Sequence, residues 1–383
     1  MQAACLNPLE EPPHADRILL IRLGALGDVV RTLPAFASIR AHYPRAHLAW
    51  LVERNAESAV RAQPGVDEVL LFPREELEAA LRAWQPLSML REAGRFVADL
   101  RRHRFDLVLD FHAILKSGLI ARLSGASLRV GYDRPHSREA AWRFANRRAR
   151  IEPARISRFD RNAALIEFLG IRRAPVAEAA PADVPVLPIE PSRADRFALQ
   201  RGSRPDSAPI VIHPGTSPAT PYKRYPVEAW GEVARRLADD GFLCIVTAGP
   251  ADSETGLARA VVESSAGAAE LAPPTPTLAD LAALYSTCRL FLGSDSGPLH
   301  VASLVGTPVV QVLGPTDPVE NRPFRGTPSR SVRVPVACSP CRRGCAAAPC
   351  MRVLPVDSVV TAACELLAGG RFDVQAGNAA RAG

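Results

Sequence analysis

Apolar segments long enough for a strand, each followed by a helix-forming stretch, recur along this chain at roughly thirty-residue spacing. That alternation confines it to parallel sheets covered by helices. In the first half, strands are expected at residues 17–22 (RILLIR), 47–52 (HLAWLV), 68–72 and 106–110, with helices near 28–42, 86–103, 114–123 and 157–169. In the second half the strands fall at 210–213, 243–248, 290–293 and 309–313, and the helices at 226–240, 252–264, 278–286 and 297–305. Between the halves, residues 172–191 are rich in Ala and Pro without periodicity, the composition of a domain crossing. At 383 residues the chain exceeds one ordinary core. The expectation is an α/β protein of two Rossmann-like, doubly wound parallel-sheet domains, 1–188 and 189–383, facing a cleft. The final helix is left free to pack back on the first domain.

Ligands of open α/β sheets bind at the carboxyl ends of the strands, so the loops there hold the candidates. The first, Gly24-Ala25-Leu26-Gly27-Asp28, lacks the G-x-G-x-x-G spacing of a dinucleotide site. Asp28 reads either as a helix cap or as a general base for a sugar hydroxyl. The second joins His213-Pro214-Gly215-Thr216 to Lys223-Arg224-Tyr225-Pro226 at a helix start. There Thr216 would donate to a phosphate oxygen, and Lys223 would neutralise a diphosphate within the field of the helix. The third, Gly293-Ser294-Asp295-Ser296-Gly297-Pro298-Leu299-His300, leaves the backbone N–H groups of Ser296 and Gly297 open toward an anion. Asp295 would accept from a sugar hydroxyl, and His300 falls in the first helical turn. Glu254, after Gly249-Pro250, suits either a ribose hydroxyl or the positive end of its own helix. Asp317, in GPTDP, reads as a turn cap.

The net charge of +7 calls for an anionic partner: nucleic acid, a phospholipid surface or a phosphorylated substrate. Arginine is dense between residues 91 and 173, while lysine occurs only at Lys116 and Lys223. Lysine is a compact point charge and arginine a planar fork, so the two survivors stand out. Aromatic residues, at 6%, leave little material for base stacking, which sets a nucleic-acid-binding module far behind an enzyme. Four of the eight cysteines, Cys338, Cys341, Cys345 and Cys350, cluster. Zinc is one reading of them, and reduced, metal-free thiols the preferred one, because zinc ligand pairs usually flank a longer loop. Residues 1–13 are acidic and proline-bearing, without the basic-then-apolar order of a secretory signal, and read as a frayed lead-in to a cytoplasmic protein.

Taken together, RLGALGDVVRTLP (22–34), DFHAILKSGLIARLSGA (110–126), HPGT…KRYP, SDSGPLHVAS (294–303) and GPTDP resemble family 9 glycosyltransferases, the ADP-heptose:lipopolysaccharide heptosyltransferases. The resemblance runs from about residue 18 to 360 and keeps the family's motif order. It departs at Gly24 and Ala25, where many members carry serine or another small polar residue, and at Gly215, where some carry threonine. It implies a GT-B fold, inversion at the anomeric carbon and no metal requirement; no cofactor is expected, and the expected working form is a monomer acting on an anionic lipopolysaccharide precursor at the membrane surface. The resemblance makes Asp28 the acceptor base and gives donor phosphate contacts to Thr216 and Lys223, with further donor contacts to Asp295, Ser296, Gly297 and His300. Lys116, in LKSG, and Arg138, in HSRE, match acceptor-side positions. A transferase or epimerase using a different nucleotide sugar on the same fold is the alternative.

Overall fold

The structure is a computed structural model that describes residues 4–61, 63–172, 187, 189, 191–199, 208–341 and 344–369. Two compact units divide the chain, Met1–Ala174 and Pro175–Gly383. The expected boundary at residue 188 lies outside the described residues.

In the first unit, β1 (Arg17–Ile21), β2 (His47–Val52), β3 (Glu68–Leu71), β4 (Leu107–Asp110), β5 (Leu128–Tyr132) and β6 (Arg147–Ala149) form one parallel sheet in the order β3-β2-β1-β4-β5-β6. Ile18 lies opposite Leu48 on one side and Leu107 on the other. A central strand covered on both faces must be apolar throughout, which is why RILLI and HLAWLV show no alternation. The covering helices are α1 (Leu26–Val30), α2 (Leu33–His42), α3 (Pro86–Arg102), α4 (Leu115–Leu123) and α5 (Arg158–Phe168). The single helix expected over 28–42 is broken at Arg31 and Thr32. Pro34 has no N–H to give the carbonyl four residues back, so the helix restarts there. α5 begins at a cap, where Ser157 Oγ accepts from Asp160 N at 3.2 Å.

The lead-in departs from expectation from residue 4 onward. Ala4–Cys5 pairs antiparallel with Ile151–Glu152. Asn7 extends that ladder by donating to Arg148 O (3.0 Å) and accepting from Arg150 N (2.8 Å). A side-chain amide can satisfy a donor and an acceptor at once, which pins the segment.

The second unit repeats the plan with β7 (Ile210–His213), β8 (Cys244–Val246), β9 (Ala269–Leu271), β10 (Leu290–Ser294), β11 (Val309–Val312) and β12 (Ser329–Val332), in the order β9-β8-β7-β10-β11-β12, all parallel. Its helices include α6 (Val227–Asp239), α7 (Asp252–Ser264), α8 (Leu278–Ser286), α9 (Gly297–Leu304) and α10 (Val356–Gly369). α10 contributes to this unit's core. Val359, Ala362, Ala363 and Leu366 join Trp230, Leu237, Val310 and Val312 in the second unit's own core. Each buried valine or leucine among them contributes about 1.5–3 kcal/mol by leaving water.

Both sheets have the order 3-2-1-4-5-6, so each has a switch point where the strand order reverses. These lie between β1 and β4, and between β7 and β10.

Candidate functional site

At the first switch point Asp28, on α1, is held by three guanidinium groups. Arg22 Nη2 lies 2.5 Å from Oδ2, and Arg31 Nη1 and Arg158 Nη1 each lie 3.0 Å from Oδ1. The arginines come from the end of β1, the turn after α1 and the first residue of α5. The Asp28 side chain keeps 20% of its surface exposed, whereas Arg22 and Arg31 keep 5% each. Burial alone would raise the Asp28 carboxyl, but the positive charges of Arg22, Arg158 and Arg31 outweigh it and hold the group well below the usual carboxylate range. It is therefore an anion with a water-facing edge, and not a helix cap, since α1 has no side-chain cap bond.

The loop after β4 closes round the same point. Asp110 accepts from His112 N, Ala113 N and Ser117 Oγ at 2.9–3.0 Å, which shapes the entry into α4. His112 Nδ1 accepts from Leu23 N at 3.2 Å. Burial, reinforced by Arg22, drives that imidazole down to about 3, so it is neutral and its Nε2 carries the proton. Ala113, Glu139 and Ala140 hold left-handed backbone (φ 61°, 52° and 58°), strain of the kind that collects at functional loops. The backbone N–H of Arg138 donates to Ala113 O at 2.9 Å, which ties the HSRE segment to this loop, while the Arg138 side chain is exposed.

Lys116 is tied to the residue that follows β2. It donates to Glu53 Oε1 at 2.7 Å and sits 4.7 Å from the Phe72 ring centroid. Glu53 also accepts from Arg74 at 2.9 Å, and although burial acts to raise its carboxyl, these two partners lower it. Sequence reasoning missed Glu53. The signal was present, a carboxylate directly after the strand His47–Val52, the same position relative to β2 that drew attention to the loop after β1. The arginine-rich stretch is partly structural: Arg134, Arg143 and Arg148 stack on Trp142, and Arg129 donates to Ala126 O and Phe144 O.

At the second switch point Lys223 Nζ lies 2.9 Å from Asp295 Oδ2, and His300 Nε2 lies 3.4 Å from Asp295 Oδ1. Asp295 is 4% exposed, so this ion pair is largely desolvated. The loop after β7 and the loop after β10 thus converge, as neighbouring strands at a switch point require. Thr216 is buried, and its hydroxyl donates to Thr220 O (2.9 Å) while accepting from Arg224 Nε (3.3 Å). The Thr216 carbonyl also accepts from Arg224 Nη2 at 3.2 Å, which ties to this loop a cation next to Lys223 that the sequence reading passed over. Ser296 caps α9 without a side-chain bond. Among the described residues, the buried hydroxyls of Ser294, Ser296 and Thr316 have no protein partner, an unmet capacity at the carboxyl ends of β10 and β11.

Glu254, from α7, reaches the same loops. A Cβ on Gly249 would lie 1.8 Å from Glu254 Oε2, and one on Gly215 would lie 3.1 Å from Oε1 and 3.0 Å from His213 Nε2. Both glycines are there for close approach. Burial raises the Glu254 carboxyl, and the Arg224 charge opposes that rise. His213 is pushed down to about 4 by burial and bonds Thr247 at 3.1 Å, so it braces the loop as a neutral ring. Asp317 accepts from Val319 N and Glu320 N and is the turn cap it was read to be.

The eight cysteines carry no disulfide. Cys350 is buried beneath Gly314, and burial, with the neighbouring thiols of Cys338, Cys341 and Cys345, raises it. Among the described residues no three His, Cys, Asp or Glu side chains form a metal-holding group, and no helix is long and apolar enough to cross a membrane.

The glycosyltransferase family 9 (heptosyltransferase) model matches residues 93–351. The chain is 28% identical to lipopolysaccharide heptosyltransferase 1 of Pseudomonas aeruginosa over 85% of its own length and 86% of the relative's. It is 25% identical to the lipopolysaccharide core heptosyltransferase OpsX of Haemophilus influenzae, covering 80% and 81% of the two chains. In three dimensions it is similar to the Escherichia coli heptosyltransferase WaaC solved with ADP, with a TM-score of 0.64, 23% identity and coverage of 82% and 93%. A family 9 glycosyl transferase from Veillonella parvula gives a TM-score of 0.68 at 21% identity, covering 93% and 98%. The two doubly wound sheets are those of the GT-B fold.

Proposed function

The chain belongs to glycosyltransferase family 9, the heptosyltransferases, and from that premise we propose that it moves heptose from ADP-heptose to the lipopolysaccharide inner core with inversion and without a metal. The observation that carries the donor reading is the meeting of Lys223, Asp295 and His300 at the second switch point, beside partnerless hydroxyls and the start of α9. A diphosphate needs fixed positive charge and hydrogen-bond donors, and a sugar needs acceptors; both are present there. Donor-bound structures are recorded for a relative, WaaC with ADP and with ADP-2-deoxy-2-fluoro heptose.

In the proposed reaction an acceptor hydroxyl oxygen bonds to the anomeric carbon while the bond from that carbon to the β-phosphate oxygen breaks. The electron pair leaves with ADP, and Asp28 takes the hydroxyl proton. Lys223, with Arg224 and the N–H groups of Ser296 and Gly297, meets the charge that develops on the leaving diphosphate, an effect that commonly contributes several kcal/mol. Glu254 holds a hydroxyl of the donor, and Lys116 and Arg138 serve the anionic acceptor. The enzyme would work as a monomer on the cytoplasmic side of a membrane, peripheral to it.

Incubation with ADP-heptose and a lipid A–Kdo acceptor, followed by mass spectrometry, should show the acceptor gaining one heptosyl unit. An unchanged acceptor, with transfer from another nucleotide sugar, would overturn the donor assignment.

The packing of Glu254 gives a second expectation. Alanine at position 249 would put a methyl group where the carboxylate now sits. Because that carboxylate ends a flexible side chain, it can swing aside at little cost to folding. Gly249→Ala should therefore weaken ADP binding about tenfold, roughly one good hydrogen bond to a charged group, with a nearly unchanged melting temperature. Calorimetric titration with ADP checks this, and unaltered affinity would remove Glu254 from the donor site.

A further inference from the structure

Between β3 and β4 the chain makes a helical hairpin, Arg74–Arg82 followed by α3, whose tip is apolar and open to solvent. Trp84 is 91% exposed, Leu87 82%, Leu81 64% and Leu90 63%. Monomeric soluble proteins rarely leave such a contiguous set uncovered. Trp84 also holds left-handed backbone (φ 52°), which a bulky residue adopts only at a cost, here at the turn that presents the indole outward.

The hairpin has a definite place relative to the first switch point. α3 runs back along the sheet toward β4, and Phe96 on it packs edge-on against Phe72, just beyond the end of β3, at 5.6 Å. Leu87 comes nine residues earlier on the same helix, about 13 Å along its axis from Phe96 at 1.5 Å of rise per residue. At the hairpin's base, Arg74 bonds Glu53, which bonds Lys116, so the hairpin is anchored in the residues assigned to the acceptor side. On α4, which packs beside α3, Leu115 is exposed at this same end.

Charge selects the occupant. Within residues 79–91 the ionisable side chains are Arg82 and Arg91, with no acid; farther along α3 Arg95 pairs with Glu92 at 2.6 Å, and on the preceding helix Glu78 pairs with Arg74 at 2.7 Å. An aromatic and leucine tip flanked by arginine suits the interface of an anionic bilayer, where indole sits at headgroup depth and each nearby arginine is attracted.

We propose that residues 81–91 are a membrane-docking tip that seats the first unit on an anionic phospholipid surface, with the strand ends bearing Asp28 and Lys116 turned toward a lipid-borne acceptor. The surface itself is argued from exposure and charge, and its link to the acceptor rests on the heptosyltransferase reading above.

The test is co-sedimentation with phosphatidylglycerol–phosphatidylethanolamine vesicles, without nucleotide or sugar, for the full chain and for Trp84→Gln/Leu87→Gln. The wild-type protein should bind, with its tryptophan emission shifted to the blue. The double variant should lose about tenfold or more in partitioning, while melting at the same temperature and keeping its turnover on a delipidated, soluble acceptor. Equal binding by the variant, or no binding by the wild type, would overturn the docking tip. So would a wild-type dimer in sedimentation that the two substitutions dissociate. Vesicle binding without any heptose transfer would leave the tip standing and remove the function, and transfer to the soluble acceptor without vesicle binding would do the reverse.

Discussion

Replacing Asp28 by asparagine is expected to lower heptose transfer by about a thousandfold, within the range general-base catalysis supplies, while ADP still binds. The chemistry asks little basicity of this carboxylate. An acceptor oxygen that has begun to bond the anomeric carbon is strongly acidic, so an anion held well below the usual carboxylate range by Arg22, Arg158 and Arg31 can still take its proton if it is within reach. What the arginines secure is ionisation and aim. Folding lowers the Asp28 pKa, so its anion favours the folded chain at every pH above its unfolded value near 3.8, and that contribution is lost only as the pH falls through the depressed value. Transfer should accordingly show no acid limb from Asp28 between about pH 5 and 7. Asparagine also takes the counter-charge from Arg22 and Arg31, buried cations, and removing one partner of a buried pair typically costs about 3–5 kcal/mol. Melting curves must therefore accompany the kinetics. A folded Asp28→Asn protein with turnover within threefold of the wild type would make Asp28 a counter-ion for its arginines and nothing more.

Much of the architecture could be read from the residues because central strands buried on both faces are unbroken apolar runs. The expected and observed strands coincide at His47–Val52 and Ile210–His213. The strands that escaped notice are outlying. Arg147–Ala149 and Ser329–Val332 end their sheets and carry arginine or serine among their apolar residues, Ala269–Leu271 ends another side with only three residues, and Leu128–Tyr132, one position in from the edge, is interrupted by Arg129 and Gly131. Edge strands need polar side chains to discourage pairing with other chains, and that same need erases the apolar signal.

The site was legible to the extent that it sits at strand ends. Asp28, Thr216, Lys223, Glu254, Asp295, Ser296, Gly297 and His300 all lie on loops or helix starts that follow strands. What spacing does not convey is which groups meet. Arg158 is 130 positions from Asp28, and Lys223 is 72 from Asp295, separations that only the folded sheets bring to about 3 Å. Glu53 and Arg224 were overlooked because each is one charged residue among many until a partner is known. Lys116 and Arg138 were matched by position within their segments, and the structure gives both a local tie, to Glu53 and Ala113, as well as a place at the strand ends.

Removing the second lysine should be nearly as damaging as removing the base, and the form of the loss separates two roles for it. Lys223→Ala is expected to lower kcat/KM about a hundredfold or more, the usual effect of deleting one preorganised donor at developing charge, and to weaken ADP binding in step. Part of that loss could come from Asp295, which would be left 4% exposed without the ammonium 2.9 Å away. Asp295→Asn removes that carboxylate charge, so the double variant Lys223→Ala/Asp295→Asn isolates the contribution of the lysine to the diphosphate. If Lys223 serves the leaving group, the double variant stays as impaired as Lys223→Ala in both ADP affinity and turnover. Lys223→Arg should restore more binding than turnover, because a planar fork supplies the charge without the compact geometry of an ammonium. Recovery of both quantities in the double variant would show instead that the lysine only neutralises Asp295. The cradle for the departing diphosphate would then have to be sought in Arg224 and the amides of α9.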